Sequence, residues 1–163
     1  MLIMKQTSFN KIFGSGPVGV LISLVLFYVA DLLNKRIGSL PISNNPFLLK
    51  FLFCVSTSFA LIIIIWSFRS LPASDRGNKL CTSGPFKYVR HPLYAAFLSV
   101  FNIGLALYLN SYVYVAWAVL LHPVWHYIVG FEERLMTDVF GEAYVEYQKK
   151  TGRFIPKLTT GRQ

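Results

Sequence analysis

The chain has 163 residues, 54% of them hydrophobic and only 14% charged, with a mean hydropathy of +0.49. A soluble globular domain carries about 25% charged residues, so this composition excludes an ordinary soluble fold and predicts a single membrane domain over residues 1–163. The net charge of +9 would suggest nucleic acid in a soluble protein, but no basic-aromatic surface repeats along the chain, and contact with anionic membrane lipid explains the excess better.

In chain order, Lys5 and Lys11 precede an apolar run that resembles a secretory signal. No small-residue cleavage site follows, so a retained first helix is predicted, from Pro17 to Leu33. A second span runs from Phe47 to Phe68 and carries no charge after Lys50. Residues Arg69 to Arg90 form a polar loop punctuated by Gly77, Gly84 and Pro85. From Pro92 to Phe131 there is no Asp, Glu, Lys or Arg. That stretch is too long for one crossing, and Asn110-Ser111 near its centre is a turn signal. It therefore reads as a helical hairpin.

After Phe131 the pattern changes. Leu135, Met136, Val139, Phe140, Ala143, Tyr144 and Tyr147 recur at helical spacing, with charged residues on the other face. An amphipathic helix at the membrane interface is predicted, broken or bent at Gly141. The fold class is thus all-α: about four transmembrane helices, including a hairpin, and a C-terminal interfacial helix.

Four crossings place Lys5, Lys11, Arg69, Arg76, Lys79, Lys87, Arg90, Arg134, Lys149, Lys150, Arg153, Lys157 and Arg162 on one side. Lys35, Arg36 and Lys50 fall on or near the other. The positive-inside rule then puts both termini in the cytoplasm.

Two polar blocks flank the hairpin. Arg90-His91-Pro92-Leu93-Tyr94 opens it, and Glu132-Glu133 closes it. If the hairpin crosses and returns, both blocks lie at the same membrane face and converge. Arg90 and His91 suit an anionic group at a helix start. Equally, they could serve as a plain helix start with interfacial anchors. The glutamates read as following a helix C-terminus, where negative charge needs an offsetting cation. Tyr144, Tyr147 and Arg153 are either interfacial anchors or the roof of a pocket. His122 and His126 are four apart on one helix face, with Pro123 between them. No acidic partner lies within that span, so lining or interhelical hydrogen bonding is expected there rather than a metal. Cys54 and Cys81 predict no disulfide.

Three segments together resemble the isoprenylcysteine carboxyl methyltransferase family and the related phospholipid N-methyltransferases. They are Thr82 through Tyr94, Glu132-Glu133, and Phe140-Gly141-Glu142-Ala143-Tyr144-Val145-Glu146-Tyr147. The resemblance covers Gly77 to Pro156, and residues 77–156 are the expected cofactor-binding catalytic region. It implies an integral membrane enzyme using S-adenosylmethionine to methylate a lipophilic acceptor, of carboxyl O-methyltransferase type. Carried over residue by residue, it points to Lys79, Leu80, His91, Pro92, Leu93, Tyr94 and Glu132 for the cofactor. Arg90 and Glu133 are the candidate catalytic residues. Three positions depart from the pattern. Phe86 stands where those enzymes have a Tyr near the substrate carboxylate, Ile128 where they have an Arg, and Ala96 where they have a Gly. A lipid amine or an apolar thiol, hydroxyl or other carboxylate therefore stays open as acceptor. The alternatives are an NADPH-dependent reductase of sterol-reductase type and a non-catalytic membrane partner.

Overall fold

A computed structural model describes residues 15–75 and 77–157. Lys5, Lys11, Arg76 and Arg162, used above for topology, lie outside the described residues. The described chain is helical: α1 (Gly16–Ile37), α2 (Pro46–Ser70), α3 (Pro92–Tyr108), α4 (Tyr112–Phe140) and α5 (Glu142–Lys150). Three of these, α1, α2 and α4, are long and apolar enough to cross a membrane, and α3 is a shorter apolar helix.

Local chemistry sets the boundaries. Pro46 starts α2, and the Asn45 side chain accepts from Leu48 N at 3.0 Å, satisfying one orphan donor of the first turn. Ser111 caps α4 by accepting from Val113 N and donates to Asn34 Oδ1 on α1 at 2.7 Å. Gly141 ends α4 at φ +56°, a left-handed conformation that favours glycine.

The predicted hairpin turn falls at Asn110-Ser111. Asn110 itself takes φ +52°, and its side chain clamps the α1–α2 connection. Its Oδ1 accepts from Ile42 N at 2.9 Å and Ser43 N at 3.0 Å, while Nδ2 donates to Ser43 O at 2.9 Å. The two connections thus share one end of the bundle, as four crossings require. Asn110→Ala is expected to cost about 2–4 kcal/mol, the sum of three hydrogen bonds and a left-handed backbone without its Asn. Asn110→Gly should recover roughly 1 kcal/mol of that. Thermal unfolding of the three proteins in detergent checks the order.

One expectation needs correction. Glu132 and Glu133 do not follow a helix end, because α4 continues through Phe140. No Pro or Gly interrupts residues 131–140, so nothing stops the helix before Gly141. The predicted amphipathic segment is therefore split between the last turns of α4 and the short α5. The apolar side of α5 also faces the protein, with Tyr144 and Tyr147 buried. A feature absent from the sequence reading is a π-helical stretch, Ala96–Phe101, inside α3.

The helices pack in the order α2, α3, α4, α1: α2 lies on α3, α3 against α4, and α1 on α4. Outward faces of α1 and α2 are apolar, with Leu21, Leu24, Phe51, Val55 and Ile62 all at least half exposed. Such faces suit hydrocarbon rather than water. Buried Leu98, Trp117, Ala118, Leu121, Trp125 and Val129 form the core between α3, α4 and α1. Small residues permit the close crossings. A Cβ on Gly104 would run into the Ser56 side chain of α2, so this contact is made within the chain.

At Gly19 a Cβ would lie 2.6 Å from the Trp125 ring. Beside it, Trp125 Nε1 donates to Ser23 Oγ at 2.9 Å, and Ser23 Oγ donates to Gly19 O at 2.8 Å. Gly19→Leu is expected to lower the unfolding temperature, since overpacking costs about 1–3 kcal/mol and exceeds the roughly 1 kcal/mol that helix propensity returns. A melting curve unchanged from wild type would show that α1 is not held at this crossing.

Candidate active site

The residues around the start of α3 are positioned by the tail of the chain. Val89 and Gly152 form a parallel bridge. Arg90 N donates to Gly152 O at 2.8 Å, and His91 N donates to Arg153 O at 3.1 Å. A Cβ on Gly152 would collide with the carbonyl of Ile155, so the tight return after α5 needs glycine there. This strap brings Arg153 to the two glutamates of α4.

Glu133 is buried, with 4% of its side chain exposed. Its Oε1 accepts from Arg90 Nε at 2.8 Å and faces His91 Nε2 at 3.2 Å. Its Oε2 accepts from Arg153 and from Gln148 Nε2 at 3.4 Å. Arg90 also donates to the carbonyls of Gln148 and Thr151, and Arg153 to the carbonyl of His126 at 2.7 Å. One carboxylate thus bridges two guanidiniums, so the trio carries a net positive charge. Charges this deep persist only when paired and hydrogen-bonded, as these are.

Glu132 differs. It is one-fifth exposed and contacts no guanidinium among the described residues. Its Oε2 accepts from Ser15 Oγ at 2.8 Å, Ser15 N at 3.3 Å and Tyr94 Oη at 3.2 Å. Its Oε1 lies 3.9 Å from His91 Nδ1, beyond hydrogen-bond range. His91 therefore sits between the carboxylates, and its ring stacks on Tyr94 at 5.7 Å and 11°.

Over this cluster lies α5. Tyr147 Oη donates to Phe86 O at 2.5 Å. Burial pushes the Tyr144 and Tyr147 phenols above their ordinary pKa, and the Glu133 charge nearby adds to both shifts. Both tyrosines are buried against the protein, and neither lines the two clefts beside the cluster.

Two clefts adjoin the cluster, one on each side of Pro123. The larger, about 680 Å³, lies between α1 and α4 and is lined by Ser15, Val18, Ile22, Pro123, Val124, Tyr127, Ile128 and Phe131. Among the described residues its only hydrogen-bonding side chains are Ser15 and Tyr127. The smaller, about 320 Å³, is lined by His122, Pro123, His126, Arg153, Phe154 and Ile155. Both histidines pack edge-on to the Phe154 ring at 6.5 Å.

The structure therefore brings together Arg90, His91, Tyr94, Glu132 and Glu133 from opposite ends of the hairpin. Pro92 is buried and Leu93 half-buried at the helix start. Lys79 and Leu80 remain on the loop; Lys79 is exposed, and its backbone N–H donates to Asp75 O at 3.0 Å. Neither hydrogen-bonds to the cluster among the described residues. Sequence reasoning missed Ser15 and Gln148, and noted Arg153 only as an anchor or roof. The compact Arg153-Phe154-Ile155-Pro156 block after a glycine was the available signal for the strap.

Residues 42–143 match the phospholipid methyltransferase family. The chain belongs to that family. The matched region contains α2 through the start of α5, including Arg90, His91, Tyr94, Glu132 and Glu133, but neither Ser15 nor Arg153. Among curated relatives, the chain is 30% identical to the cobalt-zinc-cadmium resistance protein CzcN of Cupriavidus metallidurans, over 87% of this chain and 64% of that protein. It is 30% identical to the protein-S-isoprenylcysteine O-methyltransferase of Schizosaccharomyces pombe, over 62% and 44%. It is 34% identical to the methanethiol S-methyltransferase of Pseudomonas deceptionensis, over 53% and 32%. The chain thus spans between about a third and two thirds of the length of these relatives.

Proposed function

We propose that the protein is a membrane methyltransferase that uses S-adenosylmethionine and methylates a lipophilic acceptor held in the cleft between α1 and α4. The observation that carries this reading is a shared wall: Ser15 lines the apolar cleft and hydrogen-bonds Glu132 of the polar cluster. An acceptor tail in the cleft and a polar cofactor at the cluster would meet there.

The donor set fits the cofactor. Among the described residues Glu132 Oε1 has lone pairs without a close partner, suited to an ammonium or ribose hydroxyl, and His91 and Tyr94 flank it. Glu132, His91 and Tyr94, with Pro92 and Leu93 shaping the helix start, would hold the cofactor. Lys79 and Leu80 stay in the proposal on the family resemblance alone. The bound cofactor would supply a methyl group on a sulfonium, open to in-line attack. Arg90 and Glu133, expected to be catalytic, are turned toward each other, so their proposed role is to fix His91 and the strap. The chain's contribution to rate is then alignment and exclusion of water by the α5 roof.

The acceptor reading is finer. Ile128 lies in the cleft wall, and among the described residues no cation lines the cleft. Arg90 and Arg153 are engaged by Glu133. A carboxylate acceptor would find no counter-charge and would approach Glu132, so a neutral thiol, amine or hydroxyl on an apolar body suits the cleft better than the carboxyl type. The end carrying Arg69, Lys79, Lys87, Arg134, Lys149, Lys150 and Lys157 is proposed to face the cytoplasm.

The test is methyl transfer from labelled S-adenosylmethionine, by the protein in lipid nanodiscs, to a panel of alkyl thiols, amines, alcohols and carboxylates. Label is expected in a neutral acceptor. No label in any acceptor, with no calorimetric binding of S-adenosylhomocysteine, would overturn the reading. NADPH oxidation with an unsaturated lipid would replace it by the reductase alternative.

A further inference from the structure

The first turn of α1 touches both halves of the site. Ser15 donates twice to Glu132 Oε2, from Oγ at 2.8 Å and from N at 3.3 Å. Together with Tyr94 Oη at 3.2 Å, three donors converge on one carboxylate oxygen. An incoming donor that uses this oxygen must displace one of them. Tyr94 is fixed between His91 and the Trp125 ring, whose centroid lies 4.9 Å away. Ser15 is the N-cap residue of α1 and is only partly buried.

That end has a fixed point one turn below it. Gly19 lies against the Trp125 ring with no room for a Cβ, and Ser23 accepts from Trp125 Nε1. Four residues of helix, about 6 Å, separate Ser15 from Gly19. The α1 wall of the cleft is Ser15, Val18 and Ile22, facing Val124, Tyr127 and Ile128 of α4. An apolar body inserted between these faces pushes against the turn that carries Ser15, while the Gly19–Trp125 crossing holds.

Resting on the methyltransferase reading, we propose that Ser15 is a latch between the two binding sites. It occupies Oε2 of Glu132 until an apolar acceptor enters the cleft, moves the first turn of α1 away from α4 and frees that oxygen, so that the cofactor, which otherwise reaches Oε1 alone, can engage both. Acceptor and cofactor then bind with positive coupling, reciprocal by thermodynamic linkage. Ser15 is a positioning residue that acts through Glu132. The expected coupling is about tenfold, the scale of one hydrogen bond to a charged group.

The experiment is calorimetry of S-adenosylhomocysteine on the full chain in nanodiscs, with and without dodecan-1-ol as the apolar probe. Wild type should bind about tenfold more tightly with the probe. Ser15→Ala, which keeps only the backbone donor at 3.3 Å, should already bind more tightly than wild type without the probe and gain less from it. The latch is overturned if Ser15→Ala binds no more tightly than wild type, if the probe leaves wild type unchanged, or if the probe tightens the variant as much as it tightens wild type. A second measurement does not depend on the cofactor. Spin labels at Pro17→Cys and Leu135→Cys, with Cys54→Ser and Cys81→Ser, report the separation of α1 from α4. The probe should lengthen that distance. Lengthening without any binding of S-adenosylhomocysteine would keep the latch motion and remove the methyltransferase reading. An unchanged distance would remove the latch.

Discussion

Glu133→Gln should destabilise the protein more than any other single substitution in the cluster, by about 3–5 kcal/mol. Glu133 is the one carboxylate in contact with both Arg90 and Arg153. With glutamine there, two largely buried guanidiniums keep their charge, lose their shared counter-ion and face each other with only carbonyl oxygens as partners. His91 loses the oxygen at 3.2 Å as well. Arg153→Gln should cost less, because Arg90 and Glu133 then remain as a neutral pair. The order is the sharp part of the expectation: wild type most stable, Arg153→Gln intermediate, Glu133→Gln lowest. Thermal unfolding in one detergent reads it, with a separation between wild type and Glu133→Gln of roughly 10 °C for a chain of this size. If Glu133→Gln melted with wild type, charge balance would not be what holds the strap to α4.

The parts of this architecture that were legible share a local cause. Long uncharged runs fix the spans, because an exposed charge in hydrocarbon is expensive wherever it sits. Asn110-Ser111 marks the hairpin turn, since a short polar side chain can cap and can take the left-handed conformation. Gly141 marks a helix end for the same conformational reason. Convergence of Arg90-His91 with Glu132-Glu133 then follows from geometry, as two ends of one hairpin must meet.

What was not legible depends on partners distant in sequence. Ser15 reaches Glu132 across 117 positions, and nothing near Ser15 announces it. The contact exists because Gly19 lets α1 close on Trp125, a packing property of two helices together. Arg153 reaches Glu133 because the strap pairs with residues 89–91. Its sequence neighbours suggested only an interfacial anchor. The error over the end of α4 has a different source. A change from apolar to amphipathic pattern at Phe131 marks where the helix leaves hydrocarbon, and it was read as the point where the helix stops. Backbone signals decide the latter, and none occurs between Phe131 and Gly141.

This distinction bears on the last expectation. Glu132 and Glu133 are neighbours on one helix, yet their surroundings assign them opposite tasks. Glu132→Gln should change stability by only about 1 kcal/mol, because its partners Ser15 and Tyr94 are neutral donors that a glutamine oxygen can still satisfy. Binding of S-adenosylhomocysteine should fall roughly 10- to 100-fold, the loss expected when an ammonium or ribose donor meets an amide in place of a carboxylate. Calorimetry and melting curves on both variants separate the roles. Glu132→Gln should lose binding at nearly wild-type stability, and Glu133→Gln should lose stability first. Wild-type affinity in Glu132→Gln would take the cofactor away from this carboxylate and with it the argument that the apolar cleft and the polar cluster form one site. The predicted pattern is the one in which a buried, twice-paired carboxylate builds the frame, and its partly exposed neighbour, with one oxygen lacking a close partner, is left to meet a ligand.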